Sequence, residues 1–251
     1  SHDGIAPLEC RVTTKHGTQV VVEISGIQLG DELLVAFNDV TAREHAEHEM
    51  LRLQRLHAML SQTNKLITRT HAAEELLQGA CDIAVVHGGF RFAWAGMLRP
   101  DGCVECVANA GDDRGYVQGL QLTVDPTDPR GQGPTGQSLR ADAPVITNDF
   151  VAASAQMPWH ETARQLGVAA SGAFPFRLGG VPVGVLNLYA EEQSFFGAEE
   201  VATLEELVSD LSYALDNLRR EAERAEAVRE VQTLSERLSH FMAVSPVISY
   251  Q

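Results

Sequence analysis

The sequence predicts an α+β fold. Two observations carry it: strands that return on themselves through short glycine turns, and long amphipathic helices set before and after the larger strand block. Residues 8–40 read as three strands, "LECRVTTKHG" and "TQVVVEISGIQL" meeting at His16-Gly17, and "ELLVAFNDV" after Gly30-Asp31. Three strands alone bury little, so this block reads as the last part of a larger unit. In "LVAFNDVTAREHAEHEM" the strand alternation passes almost directly into a helix at Thr41. Thr41-x-x-Glu44 has the pattern of a capping box.

Apolar residues then recur at Leu53, Leu56, Leu60 and Ile67, with Thr63 a polar substitution in the stripe. A second helix is expected from near Thr70, with Glu74 and Glu75 in its first turn and a stop at Gly88-Gly89. "FRFAWAGMLRPDG" and "CVECVANAG" form a hairpin through Pro100-Asp101-Gly102. A glycine- and proline-rich segment, Asp112 to Gly136, leads to a short helix "TGQSLRADA", a strand "PVITND" and a short helix in "MPWHETARQLG". "AASGAFPFRLGG" and "VPVGVLNLYAEE" form a second hairpin at Gly179-Gly180. The last helix runs from about Ala198 towards Phe241. Its stripe of Val201, Leu204, Val208, Leu211, Leu215, Leu218, Ala222 and Ala225 alternates threes and fours, and then breaks register at Val228, Val231 and Leu234. A stripe this long calls for a partner. The expected partner is a second copy, in parallel, with Leu204, Val208, Leu211, Leu215 and Leu218 as the dimer interface.

The 251 residues carry 34 acidic and 19 basic side chains, a net charge of −15, which repels phosphates and anionic membrane. No direct nucleic-acid contact and no membrane contact within the fragment are expected. No stretch approaches a transmembrane span or a signal peptide, so a cytoplasmic location is expected. Cys10, Cys81, Cys103 and Cys106 are too few and too irregular for a disulfide scaffold. In Cys103-Val-Glu-Cys106, thiols three apart on a strand point to opposite faces, so a shared metal is not expected. His87 reads as a helix-terminal residue.

The stretches "HGGFRFAWAGMLRPDG", "GPTGQSLRADAPVITND" and "AFPFRLGGVPVGVLNLYAEEQSFFGAEE" together resemble a bacterial GAF domain over residues 54–217. The resemblance implies a central antiparallel sheet of about six strands, terminal helices on one face and a loop-covered pocket on the other. It implies a small-molecule ligand held by Trp94, Tyr116, Thr135, Asp149, Trp159, His160, Phe174, Phe176 and Asn187. The sequence names neither ligand nor cofactor. The "NKFDE" pattern of cyclic-nucleotide GAF domains is absent, as is the cysteine that holds a bilin in phytochrome-like ones.

Residues 1–40 resemble the last three strands of a PAS domain. Asp39-Val40-Thr41 with Arg43 resembles its output junction, which implies an Asp39–Arg43 pair and a Thr41 cap relaying sheet position to the linker helix, 41–53. Residues 218–240 read as a signalling helix. "LSHFMAVSPVISYQ" is similar to the start of another PAS domain, assigned to 241–251. With its "GGFRFAWAG" stretch the domain resembles those of proteins that end in GGDEF or EAL domains, which make or degrade cyclic di-GMP. Neither signature occurs here. The fragment is therefore expected to be a non-catalytic sensor, with a ligand-free dimerisation spacer as the alternative. A third reading is an enzyme like the GAF-type reductases of free methionine sulfoxide, using Cys81, Cys103 or Cys106.

Overall fold

The computed structural model describes residues 4–29, 32–153 and 160–244. The chain divides into two compact units, Ser1–His57 and Ala58–Gln251, the division falling inside one helix.

The first unit holds an antiparallel sheet in the order β1-β2-β3, with β1 Gly4–Thr13, β2 Gln19–Leu29 and β3 Glu32–Asp39. The turn between β1 and β2 closes at Gly17, whose φ of +83° only glycine takes without strain. One face lines up Leu8, Ile24 and Phe37 across the strands, and the other lines up Glu9, Glu23 and Asn38. Helix α1, Thr41–Arg69, follows β3 after a single residue.

The second unit is built on a six-stranded antiparallel sheet in the order β6-β5-β4-β9-β8-β7. The central strands are β4 Phe92–Leu98, β9 Val181–Ala190 and β8 Ala170–Leu178. β5 Cys103–Gly111, β6 Leu122–Thr123 and β7 Val145–Thr147 complete it. Both expected hairpins form, β4 with β5 and β8 with β9. Helix α2, Ala73–Val86, starts three residues later than the sequence indicated, because the Thr70 hydroxyl donates to the Leu66 carbonyl at 2.8 Å and closes the end of α1. Short helices α3 Pro134–Ala141, α4 Phe150–Ala153 and α5 His160–Gln165 lie between β6 and β8.

Helix α6, Ala198–Val244, runs unbroken for 47 residues, about 70 Å at 1.5 Å per residue. The register change after Ala225 therefore leaves the helix intact. Among the described residues no helix is long and apolar enough to cross a membrane.

Two apolar cores sandwich this sheet. On one face α2 and α6 pack over Ala93, Ala95, Phe174, Phe176, Leu186 and Leu188. Leu204, Val208, Leu211 and Leu215 of α6 belong to that core, and Leu218 packs at its edge. The expected dimer interface is thus corrected. The stripe is spent on the chain's own sheet, since an amphipathic helix buries its apolar face against whatever layer lies nearest. Beyond Leu218, residues 219–240 are exposed throughout.

Candidate functional site

Strand alternation and register decide what faces the second core, on the side away from α2 and α6. Ser171 lies beside Tyr189 and Phe92; one row on, Ala173 lies beside Asn187 and Trp94. Phe92, Trp94 and Tyr189 are joined there by Tyr116, Val117, Leu139 and Phe150, brought over the sheet by the chain between β5 and β8. Phe92 stacks on Tyr189 with centroids 4.3 Å apart, and Tyr116 and Phe150 meet Tyr189 edge-on. The Trp94 Nε1–H donates to the Tyr189 hydroxyl at 3.4 Å, and the Tyr116 hydroxyl hydrogen-bonds the same group. Burial pushes both phenols well above the usual tyrosine range, so they act as neutral donors and acceptors.

The covering segment is anchored at several points. Gly111, Arg114 and Gly115 all have positive φ, which turns the chain sharply off β5. The Asp113 carboxylate accepts the N–H groups of Gly115 and Val117. Arg140 of α3 donates to the Val124 and Gly131 carbonyls, at 3.1 and 2.7 Å. Gly136 sits so close to the Gly131 and Thr123 carbonyls that a Cβ there would collide with backbone.

The polar groups of this face are few. The Thr135 hydroxyl donates to Asn187 Oδ1 at 2.8 Å, and the Ser138 hydroxyl to the Ala173 carbonyl at 3.1 Å. Asn187 Nδ2 and Ser171 Oγ are buried without a hydrogen-bond partner, their residues only 2% and 3% exposed. An unmade hydrogen bond at such a position costs about 1–3 kcal/mol. The two stand on adjacent strands of one face, each a polar group that its protein neighbours leave without a partner.

Of the residues anticipated from the sequence, Trp94, Tyr116, Thr135 and Asn187 come together here. Phe174 and Phe176 do not: they point to the α2/α6 core, because Ala173 and not Phe174 pairs with Asn187. Asp149 is exposed and accepts the Ala152 N–H at 3.2 Å, capping α4 instead of lining the face. Trp159 and the side chain of His160 lie outside the described residues, although the backbone of His160 begins α5. Phe92, Phe150, Ser171 and Tyr189 were missed. Phe92 and Tyr189 stand two residues from Trp94 and Asn187, so strand periodicity would have found them once either phase was known.

The cysteines are dispersed. Cys81 is in the α2 side of the core, its thiol pushed up to about 12 by burial. Cys106 pairs with Gly96 and shares the face of Val104, so Cys103 is on the opposite face, as strand alternation predicts; both thiols reach the rim of a surface cavity of about 600 Å³ beside β6. Burial also raises the Cys106 thiol.

In the first unit, Asp39 accepts both the N–H and the hydroxyl of Thr41, at 3.0 and 2.6 Å. The Thr41 hydroxyl oxygen in turn accepts the Val21 N–H of β2 at 2.9 Å. The start of α1 is therefore hydrogen-bonded into the sheet. Arg43 does not pair with Asp39. It reaches Glu9 at 2.7 Å and Glu23 at 3.5 Å, two carboxylates on the neighbouring strands.

A sheet covered by terminal helices on one face and by loops over buried aromatics on the other defines a class of α+β domains with one helix-packed and one loop-covered sheet face. The chain belongs to the GAF domain family, whose model matches residues 70–216. No curated protein matches the sequence. Among solved structures, the free methionine-R-sulfoxide reductase of Neisseria meningitidis with its substrate is similar at 16% identity and TM-score 0.54, over 66% of this chain and 91% of that one. The reductase of Staphylococcus aureus, also with substrate, is similar at 14% identity and TM-score 0.53, over 64% and 95%. A GAF domain from a phosphoenolpyruvate-protein phosphotransferase of Coxiella burnetii is similar at 18% and 0.52, over 67% and 98%. At these identities the likeness is one of fold. It corrects one expectation nonetheless: the same scaffold carries both enzymes and regulatory domains, so the fold gives no ground for taking the chain as non-catalytic.

Proposed function

We propose that the second unit is a regulatory domain that binds a small organic molecule on the aromatic face, beneath the segment from Asp112 to Gly136. The observation that carries this reading is the pair of unpartnered buried groups, Asn187 Nδ2 and Ser171 Oγ, set among Phe92, Trp94, Tyr116 and Tyr189. Such a face suits a ligand with a flat apolar part and a hydrogen-bond acceptor for the Asn187 amide. Binding requires the covering segment to lift and re-close, with Gly111–Gly115 as its hinge.

The route outward is short. At the end of β8 the Arg177 N–H donates to Ser212 Oγ at 3.0 Å and the Gly179 N–H to the Asp216 carboxylate at 2.8 Å, both acceptors on α6. A ligand that shifts β8 pulls directly on α6. In the fuller reading the fragment is the centre of a PAS–GAF–PAS chain, dimeric through the exposed part of α6, with a cyclic di-GMP enzyme as output. That fuller reading rests on the sequence resemblances.

The test is a pair of substitutions, Thr135→Val with Asn187→Leu. Removing both partners of a buried hydrogen bond together, and the unpaired amide with them, leaves the domain as stable as before or more so. Thermal stabilisation by ligand disappears in the same protein. A domain that loses stability and keeps its ligand response overturns the reading.

A second reading has one observation in its favour: Cys103 and Cys106 share a cavity. If the chain reduces free methionine sulfoxide, turnover vanishes with Cys103→Ser or Cys106→Ser. Turnover unchanged in both variants, or absent from the wild type, rejects it.

A further inference from the structure

A second cavity, of about 240 Å³, opens on the other side of the sheet, where three helical segments meet. The end of α1 supplies Ile67, the connection to α2 supplies Thr70 and His71, and α2 supplies Leu76. One face of α6 closes it with Ala214, Asn217, Leu218 and Glu221, spaced as successive turns require. The space equals about eight waters at ~30 Å³ each, below the size of a drug-like pocket and right for a molecule of a few heavy atoms.

Its chemistry is one-sided. The floor is apolar: Ile67, Leu76, Ala214 and Leu218. The Asn217 side chain and the Glu221 carboxylate form no hydrogen bond or ion pair with other described residues. The Thr70 hydroxyl spends its proton on Leu66 and keeps lone pairs to accept with. Among the described residues no lysine or arginine lines the space, and His71 is the one basic side chain there. Acceptors, one unpaired negative charge and a short apolar floor describe the complement of an alkylammonium ion, which has three N–H donors and a hydrocarbon tail.

We infer that this junction is a binding site for a small organic cation, a primary amine with a short apolar body, separate from the aromatic face. The ammonium group sits between Glu221, Asn217 and Thr70, and the tail lies on Leu76 and Leu218. An occupant there ties the end of α1 to α6, the helix that leaves the domain. It is thus a second input on the same helix, independent of any ligand on the aromatic face.

The test is an amide NMR titration of the whole chain with n-butylammonium, butyrate and 1-butanol. The expected result is saturable shifts for butylammonium, at about millimolar affinity, confined to residues near Thr70 and Asn217. Glu221→Gln weakens binding about fivefold, the upper end of what one exposed ion pair is worth. Asn217→Leu removes a hydrogen-bond acceptor for the ammonium group and weakens binding as well. Spectra unchanged away from the cavity show that both variants fold. Equal binding of butyrate or butanol, equal affinity in Glu221→Gln, or no saturable shift at tens of millimolar overturns the inference.

Discussion

Leu211 stands at the centre of the α6 core, with no exposed surface, packed with Phe174, Phe176 and the other leucines of its helix. Truncating it to alanine removes the transfer free energy of a buried side chain, about 1.5–3 kcal/mol, and adds the cost of the cavity left behind. For a site closed by a sheet on one side and α2 on the other, collapse is limited, so the expected loss is about 3 kcal/mol. In a unit of this size that corresponds to about 6–12 °C in Tm. The assay is urea unfolding of Leu211→Ala at several protein concentrations. A core role predicts the same loss at every concentration, with the slope of the transition unchanged. A loss below about 1 kcal/mol, or one that shrinks as protein is added, would show that Leu211 faces a second copy and that the assignment of α6 to its own sheet is wrong.

Three further outcomes follow from the geometry. Gly136→Ala presses a methyl group into the Gly131 and Thr123 carbonyls, so the covering segment loosens and proteolysis within residues 112–136 speeds up; an unchanged digestion rate counts against close packing there. With a thiol reagent at pH 8, Cys103 reacts readily and Cys81, buried and with its thiol raised to about 12, reacts only on unfolding; early labelling of Cys81 contradicts its placement. The Asp39 carboxyl is held below its ordinary range by the Thr41 hydroxyl and N–H. Its stabilisation of the α1 start is therefore complete above the unfolded value near ~4 and fades as pH falls through the lowered folded value. Amide shifts of Thr41 that do not follow this titration refute the link.

Much of the fold was legible because its signals are local. Pro100-Asp101-Gly102 and Gly179-Gly180 are turns whatever surrounds them, and both hairpins formed. The start of α1 was visible in Asp39-Val40-Thr41, though the partner of Arg43 was not, since Glu9 is 34 positions away. The phase of β8 could not be read. "AASGAFPF" is small or apolar at every position because both of its faces are buried, and alternation needs one polar face to show itself. The stripe on α6 was clear, but periodicity states only that a face is buried and not against what. The site was half visible for the same reason. Trp94 and Asn187 announced themselves by type, whereas the pairing of Asn187 with Thr135 spans 52 residues, and an unpartnered amide exists only once its neighbours are in place.

Native mass spectrometry after incubation with a cell-extract metabolite fraction tests the central claim most directly, comparing the wild-type chain with the Thr135→Val/Asn187→Leu variant. The account predicts a discrete small-molecule mass retained by the wild type and absent from the variant. A wild-type chain that emerges bare, or an adduct held equally by both proteins, contradicts a ligand site on the aromatic face.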